Sequence, residues 1–191
     1  MTRDFILVLG PQGSGKSTQA KQLAEYLGFE FVSTGDFLRK LRLEDNNPVG
    51  QKLSQYWMSG ELVPDELMNE VLFPLLEKEG IKGFVLDGYP RNLSQIQAFL
   101  SFLSMNSWSL KKVFFLNVGE EECINRIKKR ADLENRPDET EEAVKRRLAI
   151  YHQETEPLLQ EYEKLGALVK VNGERSVEEI QSDIRSHFAQ S

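Results

Sequence analysis

The fold of this chain is decided by one stretch, Phe5-Ile6-Leu7-Val8-Leu9-Gly10-Pro11-Gln12-Gly13-Ser14-Gly15-Lys16-Ser17. Its first five residues are all apolar, which is typical of a strand buried on both faces. Residues 10–17 match the pattern G-x-x-x-x-G-K-[ST], and apolar residues at helical spacing follow as far as Leu27. In such a loop the glycines let successive backbone N–H groups point at phosphate oxygens, and the helix N-terminus adds positive charge. The stretch therefore predicts a site for a nucleoside triphosphate.

The rest of the chain alternates short apolar runs with longer amphipathic segments. Four further runs predict strands, at 29–32, 83–87, 113–118 and 167–171. The intervening segments predict helices, including a basic helix at 121–130 and one long helix from Glu141 to about Lys164. Strands that alternate with helices form a parallel sheet with helices on both faces. We therefore expect an α/β fold of three layers with five parallel strands.

Composition and charge exclude several classes of protein. The 191 residues carry 24 Lys and Arg against 30 Asp and Glu, a net charge of −6, which argues against a nucleic-acid or anionic-membrane surface. The single cysteine, Cys123, excludes an internal disulfide and a cysteine-cluster zinc site. Apolar runs fall short of the 18 residues typical of a membrane span, and the N-terminus has no signal-peptide pattern. We expect a cytoplasmic protein.

Three further segments resemble the nucleoside monophosphate kinases, and most closely the adenylate kinases. They are Ser33-Thr34-Gly35-Asp36-Phe37-Leu38-Arg39, Gly60-Glu61-Leu62-Val63-Pro64-Asp65, and Asp87-Gly88-Tyr89-Pro90-Arg91 with Gln95. Their order and spacing fit that family from residue 5 to about 188, whereas the N-K-x-D sequence of GTPases is missing after the fourth strand. The resemblance implies one P-loop kinase domain whose core spans 1–32, 63–130 and 141–191. It also implies a part that binds the monophosphate at about 33–62, and a short lid at about 131–140 without structural zinc.

On the donor side, Lys16 is placed by its motif to reach the β- and γ-phosphates of ATP. Asp87 ends a buried strand, where it could hold Mg²⁺ through water. A hydroxyl from Ser17 or Thr18 would face Mg²⁺ or the α-phosphate, and that of Ser17 could bind Mg²⁺ directly. Ser17 stands where adenylate kinases usually carry glycine. With the resemblance, the expected ATP-binding residues are Gly10, Gly13, Ser14, Gly15, Lys16, Ser17, Thr18, Arg126, Arg130 and Arg175.

On the acceptor side, two arginine forks suit a phosphate, and the amide of Gln95 suits the N1/N6 edge of adenine. The resemblance implies an AMP site made of Thr34, Gly35, Arg39, Leu62, Val63, Gly88, Arg91, Gln95, Arg136 and Arg147. It implies a catalytic set of Lys16, Asp87, Arg91, Arg130, Arg136 and Arg147.

The activity implied is reversible, Mg²⁺-dependent transfer of the γ-phosphoryl group of ATP to AMP, which gives two ADP, by a monomer. Asn92 leaves an alternative, because Arg-Asn after the proline resembles UMP/CMP kinases. Those enzymes typically carry alanine at the position of Thr34 and asparagine at that of Gln95, so the base site favours AMP. A second alternative is a nucleotide-binding protein whose kinase activity has decayed.

Overall fold

The computed structural model describes residues 2–43, 48–59, 61–134 and 140–188. Arg136 and the middle of the predicted lid lie outside these ranges. The strands are β1 (Asp4–Leu9), β2 (Glu30–Ser33), β3 (Gly83–Asp87), β4 (Ser109–Asn117) and β5 (Leu168–Asn172). The helices are α1 (Lys16–Leu27), α2 (Thr34–Leu43), α3 (Pro48–Ser59), α4 (Asp65–Leu76), α5 (Leu93–Met105), α6 (Glu120–Glu134), α7 (Glu141–Ile150), α8 (Leu158–Lys164) and α9 (Val177–Ser186).

The five strands form one parallel sheet in the order β2-β3-β1-β4-β5. This confirms the predicted α/β class and the predicted number and direction of strands. The chain leaves β1 toward β2 and β3 on one side, and later places β4 and β5 on the other side. Such a reversal opens a crevice at the carboxyl ends of the central strands, where ligands bind in open α/β sheets.

The core lies on both faces of the sheet, as the apolar run at 5–9 predicts. Phe5 and Leu7 pack on one face together with Phe99 of α5. Ile6 and Val8, which point the opposite way, pack on the other face with residues of α1 and α9. Side chains that are wholly buried in this way each stabilise the fold by about 1.5–3 kcal/mol, so β1 is held firmly between the two helical layers.

Two helices differ from their predicted extents. The predicted long helix from Glu141 is divided into α7, a single π-helical turn at Tyr151–Thr155, and α8. The basic helix α6 continues to Glu134, beyond the predicted end at residue 130. β4 begins at Ser109 rather than at 113, because its partly exposed first residues already pair with β1.

Candidate active site

The phosphate loop joins the end of β1 to the start of α1, as its sequence predicts. Gly13 adopts a φ of +86°, and a Cβ atom there would lie 2.5 Å from the carbonyl oxygen of Cys123. Only glycine fits a position that combines a left-handed backbone with so close an approach. The Nζ of Lys16 donates to the carbonyl oxygen of Pro11 at 3.0 Å, so the lysine folds back across the loop.

The N-terminus of α1 is left open toward the loop. Its N-cap residue is Gly15, and the described residues give it no side-chain capping bond. The first N–H groups of a helix have no partner within the helix and carry partial positive charge. This end of α1 is therefore suited to an anion such as phosphate.

Positive charge is concentrated around Lys16. Burial lowers the pKa of Lys16 below its usual range, the negative charge of Asp87 raises it, and the neighbouring Arg91 and Arg130 lower it further. Several cations share one partly enclosed space here, which is a favourable environment for the charged oxygens of a polyphosphate.

Asp87 lies beside the phosphate loop, because β3 pairs with β1 and places Asp87 opposite Val8. Its carboxylate is 4% exposed, and Oδ2 accepts a hydrogen bond from the hydroxyl of Ser17. Its Oδ1 is buried and has no hydrogen-bond partner among the described residues. A buried carboxylate oxygen next to a hydroxyl is the kind of hard oxygen pair that Mg²⁺ prefers.

A cleft of about 1320 Å³, including space open to solvent, lies at the carboxyl ends of β1 and β3. It brings together predicted donor-site residues and predicted acceptor-site residues. Those that line it are Gly10, Lys16, Ser17, Thr34, Gly35, Arg39, Leu62, Val63, Asp87, Gly88, Arg91, Gln95, Arg130 and Arg147.

The remaining predicted residues lie around the rim or elsewhere. Gly13, Ser14, Gly15 and Thr18 belong to the loop and first turn of α1, outside the lining of the cleft. Arg126 of α6 donates from Nη1 to the carbonyl oxygens of Ser14, at 3.3 Å, and Gly173, at 3.0 Å. It therefore joins the phosphate loop to the turn after β5.

Arg175 follows β5. It forms an ion pair with Asp183 of α9 and donates to the carbonyl oxygen of Asn172. Arg136 is among the residues that the structure does not describe.

The predicted acceptor end of the cleft is built on the turn after β3. Arg91 donates from Nε to the carbonyl oxygen of Gly88 at 2.8 Å, which fixes the direction of its guanidinium. Burial lowers the pKa of Arg91, Asp87 raises it, and Arg147 and Arg39 lower it. Three arginines thus gather where a second phosphate would lie.

Gln95 is 2% exposed and lines the same end of the cleft. Its Oε1 accepts from the backbone N–H of Arg91, and its Nε2 donates to Oδ1 of Asp65, both at 2.8 Å. Thr34 donates to the carbonyl oxygen of Asp87 at 3.1 Å. Both predicted base-reading residues are therefore held in place by the protein.

Comparison with known proteins shows which family this chain belongs to. The family model described as adenylate kinase matches residues 8–167. An adenylate kinase of Bifidobacterium longum is 42% identical over 184 residues, which cover 96% of this chain and 98% of that protein. An adenylate kinase of Thermus thermophilus is 41% identical over 181 residues, which cover 95% of each chain. One from Micrococcus luteus is 39% identical and covers 94% of this chain and 87% of its own.

The chain belongs to the adenylate kinase family. The predicted family is thereby confirmed, and so is the predicted class of enzyme, a nucleoside monophosphate phosphotransferase. Adenylate kinases act on ATP, AMP and ADP and typically depend on Mg²⁺. Among the described residues every helix is too short or too polar to cross a bilayer.

Within this adenylate kinase fold, Asn92 has a structural task. It is the N-cap of α5, where its Oδ1 accepts from the backbone N–H of Gln95 at 2.8 Å, and its Nδ2 donates to Asp65 at 2.8 Å. A short polar side chain at this position satisfies one of the free N–H groups of the helix. The residue that resembled UMP/CMP kinases is therefore explained by capping.

Two residues that contact predicted site residues were missed by sequence reasoning. Asp65 accepts hydrogen bonds from both Asn92 and Gln95. From the sequence, its position indicates only an acidic residue in the first turn of a helix. Thr155 donates to the carbonyl oxygen of Arg91 at 2.7 Å from the π-helical turn. No sequence signal marks either contact, because each joins elements that are distant in the chain.

Proposed function

We propose that this chain transfers the γ-phosphoryl group of ATP reversibly to AMP, with Mg²⁺, and forms two ADP. The observation that carries the proposal is a single cleft with two ends. One end holds the phosphate loop with Lys16, and the other holds Arg39, Arg91 and Gln95. Two nucleotides that enter from opposite ends would meet with their phosphates in the space between.

At the donor end, the N–H groups of the loop and α1 hold the phosphates of ATP, and Lys16 lies against its β- and γ-oxygens. Ser17 and Asp87 would supply the oxygens that hold Mg²⁺, Asp87 through water. When bound, the metal neutralises charge on the β- and γ-phosphates. The unpartnered Oδ1 of Asp87 supports this assignment.

In the transfer step an oxygen of the AMP phosphate forms a bond to the γ-phosphorus. The bond from that phosphorus to the oxygen bridging the β- and γ-phosphates breaks, and ADP leaves on each side. Lys16, Arg130 and Arg147 stabilise the charge on the transferring group, together with Arg136 from the lid. The attacking phosphate is already ionised, so the residues need only position it.

At the acceptor end, Arg39 and Arg91 hold the phosphate of AMP, and Arg91 is aimed by its bond to Gly88. Gln95 faces the N1/N6 edge of adenine. The other AMP contacts are Thr34, Gly35, Leu62, Val63 and Gly88.

The adenine of ATP lies against the side chain of Arg126, whose planar guanidinium suits stacking, and near the backbone at Arg175. The segment at about 33–62 and the short lid at about 131–140 close over the nucleotides and exclude water from the γ-phosphate. We further propose that the chain acts as a monomer in the cytoplasm.

The proposal is tested by following label from ATP that carries ³²P in the γ-phosphate, in the presence of AMP and Mg²⁺. The expected product is ADP labelled in its β-phosphate, with little labelled inorganic phosphate. Lys16→Met should lower kcat by about 10³-fold or more. Lys21 is an exposed lysine on the same helix, and Lys21→Met should leave kcat unchanged. Tight nucleotide binding without labelled ADP would instead indicate a decayed kinase.

A further inference from the structure

Asp65 connects the starts of two helices at the acceptor end of the cleft. Its Oδ1 accepts from Nδ2 of Asn92, the N-cap of α5, and from Nε2 of Gln95 in the first turn of α5. Asp65 itself begins α4. The carboxylate is therefore shared by two amide groups, and one of them belongs to the residue that lines the base end of the cleft.

These contacts leave the Gln95 amide only one orientation. An ionised carboxylate is an acceptor alone, and a backbone N–H is a donor alone. The amide nitrogen must therefore face Asp65 and the amide oxygen must face the N–H of Arg91. The two hydrogen bonds, each of 2.8 Å, show this orientation. If the amide turned over, its oxygen would face the carboxylate and its NH₂ group would face an N–H, so both bonds would become repulsive.

The orientation determines what Gln95 can recognise. After these two bonds the amide keeps one N–H and one oxygen lone pair, because the described residues supply no other partner. Adenine offers a donor at its 6-amino group and an acceptor at N1. Hypoxanthine, in IMP, has the same purine frame but offers an acceptor at O6 and a donor at N1. An amide that is free to turn over can match either edge, whereas a fixed amide matches only one.

We propose that Asp65 is a specificity-determining positioning residue, which fixes the Gln95 amide so that the site accepts a 6-amino purine and rejects a 6-oxo purine. This inference rests on the proposed function, in which Gln95 faces the base of AMP. Asp65 acts on the base through Gln95, whereas its second bond, from Asn92, joins it to the cap of α5.

The experiment compares kcat/KM for AMP with kcat/KM for IMP, with Mg²⁺ and ATP as the donor. In Asp65→Ala one of the two bonds that orient the Gln95 amide is lost and only the bond from the N–H of Arg91 remains. The ratio of the two values should then fall at least about tenfold, because hydrogen-bonded recognition of a polar group provides discrimination well above that factor. KM for ATP should stay within about twofold, since the donor end of the cleft is unchanged. Glu66→Ala is the matched control, because it removes the neighbouring exposed acid from the same first turn of α4. It should keep the ratio of the wild-type enzyme.

Two further variants separate orientation from charge and from folding. Asp65→Asn keeps an oxygen acceptor for both amides, because Oδ1 of Asn92 caps α5 and its Nδ2 therefore still faces an acceptor at residue 65. This variant should retain the AMP/IMP ratio within about threefold. A fall as large as that of Asp65→Ala would show that charge matters, not orientation, and would overturn the proposal. Asp65→Ser takes the place of Asp65→Ala if the alanine variant does not fold, because a hydroxyl can accept or donate and so cannot dictate the amide orientation.

An unchanged AMP/IMP ratio in Asp65→Ala, or in Asp65→Ser where it takes its place, would overturn the inference while the wild-type activity with AMP upheld the proposed function. Wild-type enzyme that does not phosphorylate AMP would overturn the proposed function, and with it the inference. The two failures are therefore distinguished by the wild-type measurement alone.

Discussion

The hydroxyl of Ser17 donates a hydrogen bond to Oδ2 of Asp87, and so joins the phosphate loop to the end of the neighbouring strand β3. The other carboxylate oxygen of Asp87 is buried without a partner among the described residues. Two oxygens that a metal ion could share are thus held at the mouth of the loop. This arrangement suggests a role in metal binding for Ser17, which stands where adenylate kinases usually carry glycine.

Removal of the Ser17 hydroxyl should weaken the binding of Mg²⁺ more than the binding of ATP. In Ser17→Ala we expect the Mg²⁺ concentration at half-maximal rate to rise about tenfold, since the loss of one group around a metal costs that much in affinity or more. Titration of the reaction rate with Mg²⁺ at saturating ATP measures this concentration. Thr18→Val removes the adjacent hydroxyl and should leave the Mg²⁺ curve in place. Identical curves for Ser17→Ala and wild type would refute the role of Ser17.

The lowered pKa of Lys16 predicts a dependence of stability on pH. Burial lowers that pKa below the ordinary value of 10.5, so the folded state releases the proton of Lys16 at a lower pH than the unfolded state does. Between the folded pKa and 10.5 the unfolded state binds more protons, and stability therefore rises with pH. At neutral pH the charged lysine destabilises the ligand-free fold relative to a neutral side chain.

Thermal unfolding of the ligand-free protein tests this sign. Lys16→Met should melt at a higher temperature than wild type near pH 7, and the difference should shrink as the pH rises toward 10.5. Lys21→Met, at an exposed position of the same helix, controls for a change of net charge. A difference that grew with pH would mean that the pKa of Lys16 is raised in the folded state.

Gly88 should be intolerant of a side chain for a local reason. Its φ is +81°, and a Cβ atom would lie 2.7 Å from Oγ1 of Thr34 and 3.1 Å from Nη2 of Arg91. Gly88→Ala should therefore raise KM for AMP about tenfold or more, by displacing groups that face the acceptor. Gly166 has a φ of +65° with no atom within 4 Å of the added Cβ. Gly166→Ala should cost about 1 kcal/mol of stability and leave both KM values unchanged.

Asn92 should matter for stability and not for the choice of base. Asn92→Ala removes the cap of α5 and should lower the free energy of unfolding by about 1 kcal/mol. Asn92→Thr keeps a capping oxygen and should recover most of that loss. Denaturant unfolding measures both. The preference for AMP over UMP should persist in Asn92→Thr, and a switch to UMP in that variant would speak against capping as its only task.

Much of the fold is predictable from local patterns. The all-apolar strands at the centre of a parallel sheet, and the loop that contains Lys16, have signatures confined to a few consecutive residues. The division of the helix after Glu141 is not predictable in this way. Its π-helical turn contains Thr155, whose hydroxyl bonds to the carbonyl oxygen of Arg91, 64 residues earlier. Such a contact exists only once the tertiary structure has formed.

The candidate site likewise contains some residues that the sequence predicts and others that it does not. Asp87 is predictable because it ends a buried strand, and Arg91 because the segment Asp87-Gly88-Tyr89-Pro90-Arg91 resembles that of the adenylate kinases. Asp65 is not, since its contact with Gln95 requires the starts of α4 and α5 to lie side by side. The anchoring of Arg126 likewise depends on the placement of α6 beside the phosphate loop and the turn after β5.

The most direct test of the central claim is a steady-state assay of the wild-type enzyme with Mg²⁺ and ATP against AMP, UMP, CMP and GMP at matched concentrations. Thr34 and Gln95 line the cleft and are proposed to face the base. We therefore predict that kcat/KM for AMP exceeds that for each other monophosphate by about 10²-fold or more. A higher kcat/KM for UMP or CMP would contradict the assignment of the acceptor, although the phosphate loop and the transfer of the γ-phosphoryl group would stand.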